Sequence, residues 1–217
     1  MALKIVALSD THCRLRKFTV PEGDLLIHAG DLTFRGDIQE ISQELRELGR
    51  IAKNFKQGCL LTPGNHDWLF ERNWDLAKQM CIDEGITLLH QEGIRIEGIN
   101  IWMSAFSPAF CNWAFNVDRL ELKEKWAPIP DNTNILVTHG PPMGILDKVD
   151  EPNGHGENVG CYDLYNRIQE LPNLTHHIFG HIHENYRQLT IGNVTYINAS
   201  NCTEEYKPIN KPIVFEV

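Results

Sequence analysis

Five short polar clusters occur along the 217-residue chain, and each follows directly on a run of apolar residues. Short apolar runs of this kind are typical of buried β-strands. The clusters are the DTH of residues 10–12, the GD of 30–31, the GNHD of 64–67, the THG of 138–140 and the GHIH of 180–183. Open α/β sheets bind their ligands beyond the carboxyl ends of their strands. Five clusters at successive strand ends therefore predict an α/β fold in which these side chains converge at one edge.

The clusters supply carboxylate, amide and imidazole donors, and they contain no thiolate. The seven candidate ligands are Asp10, His12, Asp31, Asn65, His139, His181 and His183. Each of them alone is more often a cap, a turn residue or a packed core histidine. Independent caps have no reason to assemble a complete set in one order, so their joint occurrence favours a site for two divalent ions. If residues 181–183 form a regular strand, their two imidazoles share one face and can reach both ions.

The residues between the clusters predict alternating strands and helices in the first part of the chain and β-hairpins toward its end. Apolar residues at 38, 41, 45, 48, 51, 52 and 55 share one helical face, with Asp37 as N-cap and Gly58 beyond the end. Further helices are predicted over 74–84, 119–126 and 161–171. Strands are predicted over 3–8, 25–29, 59–62, 86–89, 94–97, 99–105, 134–138, 176–179, 187–191, 194–198 and 213–217.

The order D-x-H, GD, GNHD, THG and GHxH over residues 10–183 resembles the calcineurin-like metallophosphoesterase superfamily. Further segments narrow the resemblance to the branch of the vertebrate metallophosphoesterase-domain-containing brain proteins; they are THGPP (138–142), VGC (159–161), HENY (183–186), YINAS (196–200), FCNWAFN (110–116) and NKPI (210–213). In some members of that branch a glycine replaces the first histidine of GHxH, whereas this chain has His181. The resemblance implies a four-layer α-β-β-α sandwich of two mixed sheets.

The resemblance also implies a role for each ligand. Asp31 would bridge two metals, with Asp10, His12 and His183 completing the first and Asn65, His139 and His181 the second. His66 would lie beside the metals and protonate or stabilise the leaving oxygen, and Asp67 is expected to orient its ring. The donor set suits Mn2+, Fe, Zn2+, Ni2+ or Co2+ better than Ca2+, with Mn2+ favoured.

Two segments are candidates for substrate contact. Residues 141–160 carry three prolines and four glycines over twenty residues, too long for a simple connector, and His155 stands at the tip of this loop. The irregular, aromatic stretch 107–117 contains Trp113, which could stack on a base, although aromatic residues in a large domain are more often core. Asn65 and His66 are expected to contact the phosphoryl group.

These inferences predict a binuclear metal-dependent phosphohydrolase in which a hydroxide between the metals attacks phosphorus. The branch resemblance implies a phosphodiesterase acting on cyclic nucleotides, with 2′,3′-cyclic forms first. Two alternatives stay open, a phosphomonoesterase (nucleotidase or protein phosphatase) and a non-catalytic binding scaffold on the same fold.

Composition limits the partners and the location. The net charge is −9, and the only dense positive patch is formed by Arg14, Arg16 and Lys17, so a small phosphoester is a more plausible substrate than a long nucleic acid. The chain contains no linker-like stretch and no apolar run of about 20 residues, which predicts a single domain over 1–217 and no membrane span. Residues 1–8 enter a strand directly, leaving no room for a signal peptide, and the six cysteines lack CxxC spacing. A cytoplasmic location is expected.

Overall fold

The computed structural model describes residues 2–149 and 156–217. In chain order its strands are β1 (Lys4–Leu8), β2 (Leu25–His28), β3 (Cys59–Leu61), β4 (Ile86–Leu88), β5 (Glu92–Ile96), β6 (Ile99–Ser104), β7 (Ser107–Pro108), β8 (Asn116–Val117), β9 (Ile135–Thr138), β10 (Lys148–Val149), β11 (Glu157–Asn158), β12 (His176–Phe179), β13 (Arg187–Ile191), β14 (Val194–Asn198) and β15 (Ile213–Glu216). The helices are α1 (Ile38–Ala52), α2 (Trp68–Arg72), α3 (Trp74–Asp83), α4 (Leu122–Trp126) and α5 (Tyr162–Gln169), with single 3-10 turns at Leu15–Lys17 and His183–Asn185.

Two mixed sheets form the centre of the described structure. The first has the order β15-β1-β2-β3-β4, in which β1 to β4 are parallel and β15 pairs antiparallel with β1. The second has the order β13-β14-β12-β9-β6-β5, with a parallel centre of β14, β12, β9 and β6 and antiparallel strands at both edges. Because the central strands are parallel within each sheet, their carboxyl ends lie at a common edge.

Three layers of apolar side chains hold the sheets and helices together. Alternate residues of the two sheets pack against each other in the central layer, among them Ile5, Ile27, Ile101, Val137 and Ile178. The opposite face of the first sheet packs on α1 and α3, with Val6, Leu8, Ile41, Leu45 and Ala77 in one cluster. The opposite face of the second sheet packs on α4 and α5, with Leu136, Phe179, Trp126, Leu164 and Ile168 in another. This order of layers confirms the predicted α-β-β-α sandwich.

Most predicted elements occur within a few residues of their expected bounds. Helix α1 begins at Asp37, whose carboxylate accepts hydrogen bonds from the backbone N–H groups of Gln39 and Glu40 at 2.9 and 3.0 Å. The sequence pattern missed α2 and the short strand pairs β7–β8 and β10–β11, because elements of two to five residues show no usable periodicity. In the described parts of the chain, no helix combines the length and apolar character that crossing a membrane would require.

The two sheets meet at the edge where the polar clusters lie. Ser9, just beyond β1, forms an isolated parallel bridge with Ser200, just beyond β14. The backbone N–H of Asn201 donates to the carbonyl of Ser9 at 2.8 Å. These contacts bring the residues that follow β1, β2 and β3 next to those that follow β9 and β12.

Candidate dinuclear metal site

The seven predicted ligands meet at this edge in two neighbouring groups. Donor atoms of Asp10, His12 and His183 lie within 4.8 Å of one another, and so do those of Asp31, His139 and His181. Asn65 joins the second group, since its Oδ1 lies 2.8 Å from His139 Nε2.

The Asp31 carboxylate lies between the two groups. Its Oδ2 is 3.8 Å from Nε2 of His12 and 3.4 Å from Nε2 of His139. Its Oδ1 accepts a hydrogen bond from the backbone N–H of His66 at 2.8 Å, which fixes the orientation of the carboxylate. One oxygen is thus placed where it can reach an ion in either group, as a bridging ligand requires.

Left-handed backbone turns carry several ligands away from their strands. Asp10, His12, Asp31 and His181 have φ values of 51°, 42°, 53° and 70°. Such conformations cost of order 1–3 kcal/mol each in non-glycine residues and persist where the surroundings hold them. The condition of a regular strand over 181–183 is not met, because His181 is left-handed and His183 begins a 3-10 turn. The two imidazoles therefore reach different groups through a turn in the backbone.

Backbone carbonyls fix the ring orientation of four histidines. The Nδ1 atoms of His12, His66, His139 and His183 lie 3.1, 2.7, 3.0 and 3.0 Å from the carbonyl oxygens of Thr33, Phe34, Ala29 and Thr203, respectively. A carbonyl oxygen can only accept, so each Nδ1 carries a proton and each Nε2 is the nitrogen that faces the site, where it can offer a lone pair once it is deprotonated. Metal-bound histidines show this same arrangement. The residues present therefore fit divalent ions held by imidazole and carboxylate donors.

The carboxylates and imidazoles of the site perturb one another's titration. Burial alone would raise the pKa of Asp10 and Asp31, but the His183 and His139 imidazoles beside them hold both pKa values well below the usual range. Burial opposes a charge on His139 and His183 as well, yet the same two carboxylates raise the pKa of each imidazole to about 9. In the absence of metal, protonated His139 and His183 thus offset the charge of the two carboxylates. A divalent cation can bind to these imidazoles only when their Nε2 protons leave.

His66 lies beside the two groups and lines the cleft that leads to them. Its Nε2 is 4.0 Å from Asp31 Oδ2, and His66 as a whole is 8% exposed to solvent. The prediction that Asp67 orients the His66 ring is wrong, because the Asp67 carboxylate instead accepts four hydrogen bonds. The donors are the backbone N–H groups of Leu32, Thr33 and Gly64 and the Thr33 hydroxyl.

The cleft above the donors has a volume of about 500 Å3. Its walls include Asp31, Asn65, His66, Pro108, Phe110, Trp113, Arg119, Val149, Val159, His181, Ile182, His183, Glu184, Glu204 and Tyr206. Trp113 lines this cleft, and its ring also packs on His66 with centroids 4.3 Å apart. Its predicted contact with substrate stays a prediction. The predicted substrate contact of His155 falls outside the described residues and stays a prediction.

Some residues of the site carried no signal in the sequence. The Ser200 hydroxyl donates to Asp10 Oδ2 at 2.9 Å, although 190 positions separate the two residues. The Tyr206 ring contacts His12 edge-on, with centroids 4.8 Å apart, and lines the cleft. Tyr206 lies in an irregular segment after β14 that has no periodic pattern. The sole available signal was its position, six residues beyond the YINAS segment.

Comparison with known proteins identifies the family. The model of the calcineurin-like phosphoesterase family matches residues 3–185. The chain belongs to this family. The calcineurin-like phosphoesterase is 36% identical to Metallophosphoesterase domain-containing protein 1 of Homo sapiens over 236 aligned residues, covering 99% of this chain and 71% of the relative. It is 35% identical to UPF0046 protein K07C11.7 of Caenorhabditis elegans, covering 99% and 75%.

Among solved structures, the calcineurin-like phosphoesterase superposes on a protein described as a novel archaeal phosphodiesterase with a TM-score of 0.48 and 15% identity, covering 99% of both chains. The family match confirms the resemblance drawn from the five clusters. Family membership and the clustered aspartates and histidines together indicate a metal-dependent phosphoester hydrolase.

Proposed function

We propose that this calcineurin-like phosphoesterase is a phosphodiesterase for small organic phosphodiesters, with cyclic nucleotides as the substrate class and 2′,3′-cyclic forms first. The observation that carries the proposal is the cleft beside the candidate ligands. Its volume of about 500 Å3 and its apolar walls, which include Phe110, Trp113, Val159 and Tyr206, suit an organic group attached to the phosphate.

Charge in the cleft supports a diester over a monoester. Glu184 and Glu204 line it close to the first ligand group, and Arg119 is the sole lysine or arginine among its described lining residues. A phosphomonoester carries about −1.5 to −2 charge near neutral pH, whereas a diester carries a single charge. The hydrogen bond between the Glu184 and Glu204 side chains raises the pKa of Glu204 to about 7, so near neutral pH the pair carries between one and two negative charges. This charge repels the additional charge of the monoester, and it repels a long polyanion still more.

The candidate ligands would hold the two divalent ions, for which we propose Mn2+ under working conditions. When bound, such ions supply Lewis-acid polarisation of the phosphoryl group and a more acidic water for the attack. His66 supplies the proton for the departing alkoxide from Nε2, because its Nδ1 is committed to the Phe34 carbonyl. Asp31 would serve both ions, and Asn65 with His66 would contact the phosphoryl group. We also propose a cytoplasmic location, in line with six free cysteines.

A substrate panel tests this proposal. Protein stripped with a chelator is reloaded with each of Mn2+, Fe, Zn2+, Ni2+ and Co2+ and assayed on 2′,3′-cyclic AMP, bis(4-nitrophenyl) phosphate and 5′-AMP. We expect kcat/KM to fall in that order of substrates. A monoester at the head of the ranking would establish the phosphomonoesterase alternative. Stoichiometric metal binding without turnover of any substrate would establish the scaffold.

A further inference from the structure

The Trp113 side chain packs on the imidazole of His66 in a tilted arrangement. Their ring centroids are 4.3 Å apart and the two planes are inclined by 32°. His12 approaches His66 edge-on, with centroids 4.8 Å apart at 82°. The Phe34 carbonyl fixes Nδ1 at 2.7 Å. The rings of Phe34 and Tyr206 lie farther away, with centroids at 5.7 and 6.4 Å. The imidazole is thus held at one ring nitrogen, and Trp113 is the ring nearest to it.

The segment that carries Trp113 is tied to the loop that carries His66. The backbone N–H of Ala114 donates to the carbonyl of Asn65 at 3.1 Å. The backbone N–H of Phe115 donates to Glu71 Oε1, in helix α2, at 2.6 Å. Since α2 begins two residues after His66, these two bonds join the Trp113 segment and the His66 loop into one unit.

This unit has a consequence for the orientation of His66. A single hydrogen bond at Nδ1 leaves the ring free to tilt about that bond, and a stacked aromatic ring removes this freedom. Trp113 is half-buried and lines the cleft, so its removal would open the face of His66 that it covers. A displacement of about 1 Å in a reacting group can cost on the order of 100-fold in rate.

We propose that Trp113 is a positioning residue for His66, holding the imidazole so that Nε2 faces the leaving oxygen. This inference rests on the proposed function of His66 as the proton donor. The face of Trp113 that covers His66 is already occupied, which removes that face from any contact with a nucleotide base.

The test compares Trp113→Ala, Trp113→Phe, His66→Ala and the double variant Trp113→Ala/His66→Ala on aryl methyl phosphodiesters of graded leaving-group acidity. We expect Trp113→Ala to lower kcat about 10- to 100-fold on the poorest leaving group, less on the nitrophenyl ester, and to leave metal content unchanged. Phenylalanine should restore most of the rate. In the His66→Ala background, Trp113→Ala should have no further effect.

A matched control is available in Trp74, whose ring contacts His90 with centroids 5.8 Å apart, away from the residues of the cleft. Trp74→Phe should keep the wild-type dependence on the leaving group. Far-UV circular dichroism verifies that each variant is folded.

Three results would overturn the inference: a Trp113→Ala loss equal on all leaving groups, a rise in KM with kcat unchanged, or a loss of the same size in the His66→Ala background. Failure of the proposed function is visible without any tryptophan variant. If His66→Ala loses the same factor on every leaving group, His66 is not the proton donor and the positioning role falls with it. If wild-type protein hydrolyses no diester in the series, the proposed activity itself is wrong.

Discussion

Asp67→Asn should destabilise the fold and leave proton donation by His66 intact. The Asp67 carboxylate is buried and joins the loop after β2 to the loop after β3. Its Oδ1 accepts from the Thr33 N–H at 2.9 Å and from the Thr33 hydroxyl at 2.6 Å. Its Oδ2 accepts from the N–H groups of Leu32 and Gly64 at 3.1 and 2.9 Å. These two loops carry the ligands Asp31 and Asn65.

The size of the effect follows from these four bonds. In asparagine an amide NH2 replaces one of the two oxygens. Turned toward Thr33, it leaves the Thr33 N–H without an acceptor, since the Thr33 hydroxyl can rotate and accept; turned the other way, it leaves the N–H groups of Leu32 and Gly64 without one. A buried donor without an acceptor costs about 1–3 kcal/mol, which gives a loss of about 1–3 kcal/mol in the free energy of unfolding for the more favourable orientation. Burial and the nearby Asp31 carboxylate raise the pKa of Asp67 to about 6, so at pH 8, where the carboxylate is ionised, the neutral asparagine also relieves a desolvation and repulsion cost that offsets part of this loss.

Urea unfolding of chelator-stripped protein, followed by far-UV circular dichroism, measures this loss. Asp118→Asn is the matched control, since Asp118 is exposed and accepts one turn bond from the Leu120 N–H at 2.9 Å. Its effect should stay within about 0.5 kcal/mol. Folded, metal-loaded Asp67→Asn should show the wild-type dependence of kcat on leaving-group acidity. Unchanged stability together with the leaving-group dependence of His66→Ala would refute this reasoning and restore the orienting role of Asp67.

Two further predictions concern the metal ligands. Asp31→Asn should lower the affinity for both ions, whereas Asn65→Ala should lower the affinity for one. Elemental analysis after gel filtration measures the metal content of both variants. Two ions retained by Asp31→Asn would contradict a bridging role for Asp31. Metal binding at pH 7.5 should release protons, because the pKa of about 9 keeps His139 and His183 protonated in the stripped protein. Metal affinity should therefore rise with pH up to about 9. In the stripped protein these two imidazoles also contribute to the free energy of unfolding; that contribution is complete below about pH 6.5 and is lost as the pH rises through 9. Calorimetry in buffers of different ionisation enthalpy detects the protons, and binding without proton release would contradict the pKa shifts.

Most of the strand and helix pattern was predictable because it depends on local order along the chain. The apolar run of β1, the helical face of α1 and the N-cap Asp37 are each set by neighbouring residues. The candidate ligands follow their strands by only a few positions, so parallel strand order was enough to predict that they converge. Residues 181–183 were the exception, since a left-handed His181 turns the chain where alternation suggested a strand.

The tertiary structure decided which groups support the ligands. Thr33, Ala29 and Thr203 act through backbone carbonyls, which every residue possesses, so no side-chain pattern distinguishes them. Two partners of Asp67, Thr33 and Leu32, lie on another loop, 34 and 35 positions away.

The sequence by itself determined the donor types, their order and the strands that deliver them, because those properties are local. Packing of the two sheets decided that Ser200 meets Asp10 and that Trp113 covers His66. Such contacts depend on distances between loops that no short-range periodicity encodes, and they appear only once the central apolar layer has fixed one sheet on the other.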